Sequence, residues 1–272
     1  MKKINFTKMV ASGNDFVVVE GGSQKAGSGN YNKLAIGLCD RKYGVGADGL
    51  LLLGSSKIAD VRMRIFNSDG SEAEMCGNGS RCAALYAGLR DARKQVTLET
   101  KAGLIGSYIT GDKVKVNLTE PKGLRLDIPV KINARPVKVN FIDTGVPHAV
   151  IFVDGVERID VPVIGRQVRY HREFLPRGTN VDFIEPLSKD ALRIRTYERG
   201  VEDETLACGT GSVAAALILG SRLPPVAGSR KIKVHTRGGE VLNVYFDRDK
   251  NKFKNVWLEG RVKIVHKGEY YV

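Results

Sequence analysis

The sequence predicts an α+β protein of two similar domains, each a curled, mainly antiparallel sheet around one central helix. The first observation behind this prediction is a repeated stretch. Cys76–Leu85 contains Cys-Gly-Asn-Gly-Ser and then small and apolar residues, and Cys208–Leu217 contains Cys-Gly-Thr-Gly-Ser and a similar run. The two cysteines are 208 − 76 = 132 residues apart, close to half of the 272-residue chain. This spacing indicates duplication of a whole domain.

The second observation is that other landmarks keep the same spacing. Gly13 and Gly145 differ by 132, as do Gly46 and Gly178, whereas Asn67 and Glu198 differ by 131. The third observation concerns the segment after Cys208, which is apolar on every side when drawn as a helix. Such a helix must be enclosed, and the abundant strand-like segments around it predict a curled sheet as the enclosure.

In the first half, alternating and β-branched segments predict strands, and helical spacing predicts two helices. The predicted strands are Ile4–Met9, Phe16–Glu20, Leu50–Leu53, Asp60–Phe66, Gln95–Thr100, Leu104–Thr110 and Lys113–Thr119. The predicted helices are Tyr31–Arg41 and a segment from Cys76 to about Arg90. Gly and Ser predict a surface loop over 21–30.

In the second half, the pattern restarts after Pro121 and Pro129, which mark the change of domain. The predicted strands are Val137–Ile142, Val150–Val153, Val181–Glu185, Leu192–Glu198, Lys231–Thr236, Val241–Phe246, Asn255–Glu259 and Val262–His266. Helices are predicted over Val163–Tyr170 and Thr210–Gly220. The domains are therefore predicted as 1–120 with 263–272, and 121–262, with the active site in the cleft between them.

In both copies the repeated cysteine lies at the start of a predicted helix. A helix N-terminus carries partial positive charge and free backbone N–H groups, so it favours a thiolate and holds a carboxylate. Each cysteine is therefore expected to have a pKa below its usual value. The alternative is that Cys76 and Cys208 are buried structural residues, but two matched copies favour chemistry. The cysteine and histidine spacings fit neither a zinc site nor a disulfide framework, and no metal is predicted.

The composition indicates a soluble globular protein, with 42% hydrophobic and 27% charged residues. No apolar run reaches membrane-spanning length, and Asn14 and Asp15 interrupt any secretory signal. Four cysteines suggest a reducing cytoplasm. The formal net charge of +13 suggests nucleic acid as a partner, but the basic residues are scattered without a binding motif, so no nucleic-acid partner is predicted.

Two matched acid–base groups suit one kind of reaction. Inverting a carbon that bears hydrogen requires removal of a proton on one face and delivery of another on the opposite face. A thiolate and a thiol meet that need, while helix amides grip the carboxylate of an amino acid and stabilise the developing negative charge. No pyridoxal signature is visible, and no cofactor is required.

At these residues the chain resembles the diaminopimelate epimerase family over nearly its whole length. The motifs that carry the resemblance are Gly13-Asn14-Asp15-Phe16, Gly44-Val45-Gly46-Ala47-Asp48-Gly49, Phe66-Asn67-Ser68-Asp69-Gly70-Ser71, Cys76-Gly77-Asn78-Gly79 with Arg81-Cys82, Pro147-His148, Glu198-Arg199-Gly200, and Glu204-Thr205 with Ala207-Cys208-Gly209-Thr210-Gly211. The resemblance implies a cofactor-independent isomerase that interconverts LL- and meso-diaminopimelate in lysine and peptidoglycan precursor biosynthesis. It also implies a homodimer.

The resemblance further implies residue roles. Cys76 and Cys208 would be the catalytic acid–bases, and His148 and Glu198 would adjust their protonation. The substrate would be bound by Asn14, Asn67, Gly77, Asn78, Asn180, Glu198, Arg199, Gly209 and Thr210. Each polar residue has a structural alternative, because Asn is common in turns and a Glu-Arg pair at a strand end is often solvated. The chain departs from many relatives at Val146 and Gly49 and has an extra residue within Val201–Asp203.

Two rival functions remain from the sequence. A proline racemase-like isomerase of the same fold would share the cysteines, but it lacks Gly-Asn-Asp-Phe near the N-terminus and Glu-Arg-Gly before the second cysteine. Isomerases of the phenazine-biosynthesis type share the fold without the cysteine pair. A thiol redox or nucleic-acid-binding protein is the rival from another class, and it would show salt-dependent binding without isomerase activity.

Overall fold

The computed structural model describes residues 3–21, 30–133, 135–226, 228–250 and 252–271. The chain forms two units, Met1–Val116 with Gly260–Val272, and Asn117–Glu259. The unit boundaries therefore fall at 116/117 and 259/260, rather than at 120/121 and 262/263. The predicted loop over 21–30 lies almost wholly outside the described residues.

The helix that begins after Cys76 is the centre of unit 1. Strands β1 (Lys3–Ala11), β2 (Asn14–Glu20), β3 (Gly49–Gly54), β4 (Val61–Asn67), β5 (Glu72–Ala73), β6 (Gln95–Thr100), β7 (Gly103–Thr110), β8 (Lys113–Asn117) and β18 (Lys263–Tyr271) accompany helices α1 (Tyr31–Cys39) and α2 (Gly77–Arg90). Helix α2 contacts β1, β2, β3, β4, β6 and β7. The sheet therefore curls around α2, whose small residues Ala83, Ala84 and Ala87 are fully buried.

Strand β3 shows why the sheet has two buried faces. Leu50 and Leu52 belong to a core cluster with Ala35 and Leu38 of α1. Leu51 is also buried, and its side chain lies close to Gly79 at the start of α2. A strand with helices on both faces needs apolar residues at every position, which explains the uninterrupted run of leucines.

Unit 2 repeats this arrangement. Its strands are β9 (Lys122–Ile132), β10 (Arg135–Asp143), β11 (Pro147–Phe152), β12 (Asn180–Ser188), β13 (Ala191–Glu198), β14 (Asp203–Thr205), β15 (Arg230–His235), β16 (Val241–Asp249) and β17 (Lys252–Arg261), and its helices are α3 (Val161–Arg169) and α4 (Gly209–Ser221). Helix α4 is enclosed by β10, β11, β12, β13, β15 and β16. The prediction that an all-apolar helix must be enclosed is confirmed.

The repeat extends to strand direction and register. Most strand pairs are antiparallel, whereas β2–β3 and β4–β6 are parallel in unit 1, and β11–β12 and β13–β15 are parallel in unit 2. Phe16 pairs with Gly49 at the start of β3, and His148 pairs with Asn180 at the start of β12. His148 and Asn180 therefore occupy the places that Phe16 and Gly49 occupy in unit 1.

Three strands were not predicted. Strands β5 and β14 are too short to show a periodic pattern. Strand β9 contains Pro129, which in the sequence indicates a change of domain and not a strand. Pro129 lies opposite Lys138 of β10, and a proline fits a strand wherever its missing N–H is not needed for the ladder.

No helix in the part of the chain that the structure describes is long and apolar enough to cross a membrane. The same residues contain no group of three or more His, Cys, Asp or Glu side chains arranged to hold a metal ion.

Candidate active site

Cys76 is the N-cap residue of α2. Its backbone is extended, and its sulfur accepts a hydrogen bond from the N–H of Gly79 at 3.5 Å. Gly77 and Asn78 form the first turn of the helix and are buried. Since the first N–H groups of a helix have no partner within it, this turn is suited to holding a carboxylate beside the Cys76 thiol.

A chain of side-chain hydrogen bonds lies beside Cys76. Asn78 donates from Nδ2 to Oδ1 of Asn14 at 2.5 Å, and Asn14 donates from Nδ2 to Oδ2 of Asp48 at 3.2 Å. On the other side, Arg81 donates to Oδ1 of Asn78 at 2.5 Å and to the hydroxyl of Ser12 at 2.7 Å. Asn14 and Asn78 come from distant parts of the sequence and meet because β2 begins next to the first turn of α2.

An ion-pair cluster holds the start of β2. Asp15 accepts bonds from Lys8 at 2.8 Å and from both terminal nitrogens of Arg41 at 2.9 and 3.1 Å. Burial by itself would raise the pKa of Asp15, but these bonds outweigh it and lower that pKa to about 2. The cluster holds Asp15, the residue next to Asn14, in place.

Asn67 lies apart from this hydrogen-bond chain, at the end of β4. Its side chain donates to the hydroxyl of Ser71 at 2.9 Å, and its backbone N–H donates to the carbonyl of Ser71 at 2.8 Å. Asn67 is exposed and closes the turn from Asn67 to Ser71.

Cys208 is the N-cap residue of α4 and is 7% exposed. Its sulfur lies 3.4 Å from the hydroxyl of Thr210, which lies 3.0 Å from Nε2 of His148. Nδ1 of His148 in turn lies 2.7 Å from Oδ2 of Asp182. A continuous chain of polar groups thus links the Cys208 thiol to a buried carboxylate.

Asp182 is fully buried on β12. Its second oxygen, Oδ1, accepts a bond from the hydroxyl of Thr196 at 2.8 Å. That oxygen also lies against the first turn of α4, where a Cβ on Gly211 would be only 2.5 Å away. The second glycine of Cys-Gly-Thr-Gly is therefore required by the carboxylate of Asp182, which also lies at the positive end of the helix dipole.

The expectation that both helix termini lower the cysteine pKa is wrong for Cys208. Burial raises the pKa of Cys208 well above its usual value, and the negative charges of Glu198 and Asp182 raise it further. The bonds from Thr210 and Gly211 oppose this shift but are outweighed. Cys208 is therefore a protonated thiol at neutral pH.

Asn180, Glu198 and Arg199 lie together at the ends of β12 and β13. Oδ1 of Asn180 accepts from the backbone N–H of Arg199 at 2.8 Å, and its Nδ2 donates to the carbonyl of Pro147 at 3.2 Å. Asn180 also approaches Nε2 of His148 at 3.5 Å. Burial, followed by the positive charges of Arg169 and Arg177, lowers the pKa of Arg199. This concentration of guanidinium groups favours an anionic ligand.

The chain matches the family model described as diaminopimelate epimerase in two segments, 6–124 and 140–265. It is 43% identical to the diaminopimelate epimerase of Aquifex aeolicus, with 97% of each chain covered. It is also 43% identical to that of Archaeoglobus fulgidus, with 91% of each chain covered. The chain belongs to the diaminopimelate epimerase family. The two matched segments correspond to the two repeats, so the predicted duplicated fold is confirmed.

Solved structures with the same fold are more distant from this diaminopimelate epimerase family member. A phenazine biosynthesis protein of the PhzF family from Bacillus anthracis has a TM-score of 0.76 at 19% identity and covers all of both chains. A probable proline racemase from Agrobacterium radiobacter has a TM-score of 0.67 at 18% identity, covering 99% of this chain and 92% of its own. These two proteins show the shared fold.

The three places where the sequence predicts a departure from many family members have local structural settings. Val146 takes the place in unit 2 that Asn14 takes in unit 1, since 146 − 14 = 132. A Cβ on Gly49 would lie 2.8 Å from the carbonyl oxygen of Phe66. Val201–Asp203, where the sequence predicts an extra residue, lies at a turn in which Glu202 accepts from the N–H of Gly200 at 3.1 Å.

The sequence predicts no role for Asp182, Asp48 or Arg81, although Asp48 and Arg81 lie within motifs that carry the family resemblance. For Asp182 and Arg81, the sequence itself contains a signal. Asp182 interrupts the apolar strand Val181–Ile184, and Arg81 interrupts the small-residue run of α2, where the second repeat has Val213. A charged residue in a segment expected to be buried on all sides needs a dedicated partner, and here the partners belong to the site.

Proposed function

We propose that this protein is a diaminopimelate epimerase that inverts one α-carbon of LL-diaminopimelate to give the meso isomer, without a cofactor. The observation that carries this proposal is the pair of equivalent helix starts, each with a cysteine as its N-cap residue, in a chain of this family. Cys76 and Cys208 are the two acid–bases, and the mechanism requires both to reach the same α-carbon from opposite faces.

The proton transfers follow from the states of the two thiols. The thiolate of one cysteine takes the α-hydrogen, leaving a carbanion that is delocalised into the carboxylate, and the other thiol gives its proton to the opposite face. Cys208 is the proton donor in one direction, because its raised pKa keeps it protonated. Cys76 is then the base, and the roles exchange in the reverse reaction. The rival thiol redox and nucleic-acid functions leave this pairing of thiols unexplained.

The carboxylate at the reacting carbon is bound by the first turns of α2 and α4, through Gly77 and Asn78 and through Gly209 and Thr210. Helix N–H groups stabilise the negative charge that develops on this carboxylate as the proton leaves. Asn14, Asn67, Asn180, Glu198 and Arg199 bind the remaining amino and carboxylate groups of the substrate. The guanidinium groups around Arg199 support its assignment to a carboxylate.

His148 and Glu198 adjust the protonation of Cys208. Glu198 acts through its charge, which raises the pKa of the Cys208 thiol. His148 acts through the hydroxyl of Thr210, and Asp182 orients the imidazole by occupying Nδ1. Asp182 is therefore a positioning residue in this mechanism.

We also propose that the protein is a cytoplasmic homodimer and acts in lysine and peptidoglycan precursor biosynthesis. The chain has four cysteines, and their spacing fits no disulfide framework, which supports a reducing compartment. Family membership supports the dimer. Light scattering coupled to size-exclusion chromatography tests it, since a mass near 29.7 kDa would contradict it.

The function is tested by incubating the pure protein with LL-diaminopimelate and no added cofactor, while following the meso isomer by chiral chromatography. We expect conversion to an equilibrium mixture. Cys76→Ala and Cys208→Ala should each lower kcat by at least about 10³-fold, since each removes an acid–base group. Cys82→Ala is the matched control, because Cys82 is fully buried in α2 six positions from Cys76. Full activity in either active-site variant would contradict the assignment.

A further inference from the structure

Arg81 is a fully buried arginine whose Nη2 makes two hydrogen bonds within unit 1. One goes to the hydroxyl of Ser12 at 2.7 Å, and the other goes to Oδ1 of Asn78 at 2.5 Å. A guanidinium group has donors and no acceptor. Arg81 therefore forces the carbonyl end of the Asn78 amide to face it.

The orientation of the Asn78 amide determines the orientation of the next amide in the hydrogen-bond chain. With its oxygen turned to Arg81, Asn78 presents Nδ2 to Asn14, and Asn14 must accept with Oδ1. Asn14 then presents Nδ2 to Asp48, whose carboxylate is paired with Arg41 at 2.8 Å and accepts hydrogen bonds. Because Arg81 only donates and Asp48 only accepts, the two ends of the chain demand the same orientation of both amides. Each amide keeps one further Nδ2 hydrogen for a ligand.

We propose that Arg81 is a positioning residue that sets the polarity of the Asn14 and Asn78 amides for binding carboxylate groups of the substrate. This inference rests on the proposed function, in which both asparagines contact substrate. An amide that turned over would present its carbonyl oxygen to a carboxylate, and the two would repel. This hydrogen-bond chain is specific to unit 1. The equivalents of Arg81, Asn78 and Asn14, 132 residues later, are Val213, Thr210 and Val146.

If Arg81 sets the orientation of the amides, Arg81→Gln and Arg81→Lys should differ in KM. If Arg81 only fills space, they should not. Arg81→Gln places an amide there, which donates or accepts equally well and no longer selects one orientation. Arg81→Lys keeps a group that only donates, and one ammonium can serve both bonds because Nη2 alone serves both in the native protein. We expect Arg81→Gln to raise KM for LL-diaminopimelate about 10-fold with a smaller change in kcat. Arg81→Lys should stay within about threefold of the native KM.

Arg90→Gln is the matched control, since it makes the same change in the same helix at a residue bonded to Asp91 and Glu20. Its KM should be native. Equal KM values for Arg81→Gln and the native protein would overturn the proposal. An Arg81→Lys variant as impaired as Arg81→Gln would overturn it too.

Asp48→Asn tests the other end of the chain at a partly exposed residue, and so avoids the folding risk of replacing buried Arg81. An asparagine there no longer demands a donor from Asn14, so KM should rise about threefold. In the double variant of Arg81→Gln with Asp48→Asn, the fold-increase in KM should be smaller than the product of the two single fold-increases. Either change alone already allows the amides to turn over. An Asp48→Asn KM equal to the native value, or effects that multiply fully, would contradict the proposal. Absence of native activity would instead refute the proposed function.

Discussion

The two repeats share one scaffold but surround their thiols with different chemistry. In unit 1, the residue two positions after Cys76 is Asn78, which belongs to a chain of amides ending in Arg81 and Asp48. In unit 2, the residue two positions after Cys208 is Thr210, which leads to an imidazole and a buried carboxylate. The variable position of Cys-Gly-x-Gly is thus where the duplicated sites diverge. Unit 1 carries a chain of hydrogen-bonded amides, whereas unit 2 carries an imidazole and a carboxylate, which in the proposed function control the protonation of Cys208.

The strand positions show the same divergence. Phe16 and Gly49 face each other across β2 and β3 in unit 1, where they contribute packing and a close approach to the neighbouring strand. Their equivalents in unit 2, His148 and Asn180, are both buried and hydrogen-bonded. The duplicated scaffold has two equivalent helix termini, and the different residues at a few equivalent positions support the separate roles that we propose for them.

Among substitutions that remove a difference between the two units, Asp182→Asn is expected to have the largest effect. The variant leaves the volume unchanged but removes the charge that orients His148 and raises the pKa of Cys208. We expect kcat to fall about 10²-fold. The pKa of Cys208 should also fall, so its alkylation rate should begin to rise at lower pH. Asp190→Asn, at an exposed residue of the same unit, should change neither quantity. Native kcat and a native alkylation profile for Asp182→Asn would contradict the role.

Removing the link between the imidazole and the thiol should have a smaller effect. Thr210→Val deletes the hydroxyl that approaches both Cys208 and His148, and should lower kcat about 10-fold. Thr210→Ser keeps the hydroxyl and should retain most of the native rate. Equal losses in the two variants would indicate that Thr210 contributes only its shape.

The comparison also predicts unequal reactivity of the two thiols. Cys208 is 7% exposed and has a raised pKa, whereas Cys76 is partly exposed. With iodoacetamide at pH 7.5, mass spectrometry should show Cys76 modified several-fold faster than Cys208, because only the thiolate reacts. Preferential modification of Cys208 would reverse the proposed resting states.

The smallest expected effect is the loss of stability when acid protonates Asp15 in the ion-pair cluster of unit 1. The pKa of Asp15 is lowered from 3.8 to about 2, so its ionised form stabilises the folded state at neutral pH. That contribution is present above pH 4 and is lost as the pH falls towards 2, and it is worth about 2 kcal/mol at most. The free energies of unfolding measured in urea for the native protein and for Asp15→Asn should converge as the pH falls over this range. A constant difference between them would show that Asp15 does not titrate there.

The sequence predicted the architecture well, because the duplicated spacing and the apolar helix after Cys208 leave few alternatives. The sequence also identified Asn14 and Asn78, but not their contact, because β2 and α2 are far apart along the chain. The state of Cys208 could not be predicted from its place at a helix terminus. Burial and the approach of Asp182 are tertiary effects, and they outweigh the local effect of the helix.

The proposed sharing of one carbon by two thiols is tested most directly by converting LL-diaminopimelate in deuterium oxide and analysing both isomers early in the reaction. The account predicts one deuterium at the inverted α-carbon of the meso product, while unreacted LL substrate still carries hydrogen. A product that retains the substrate's own hydrogen, or equal labelling of both isomers, would contradict it.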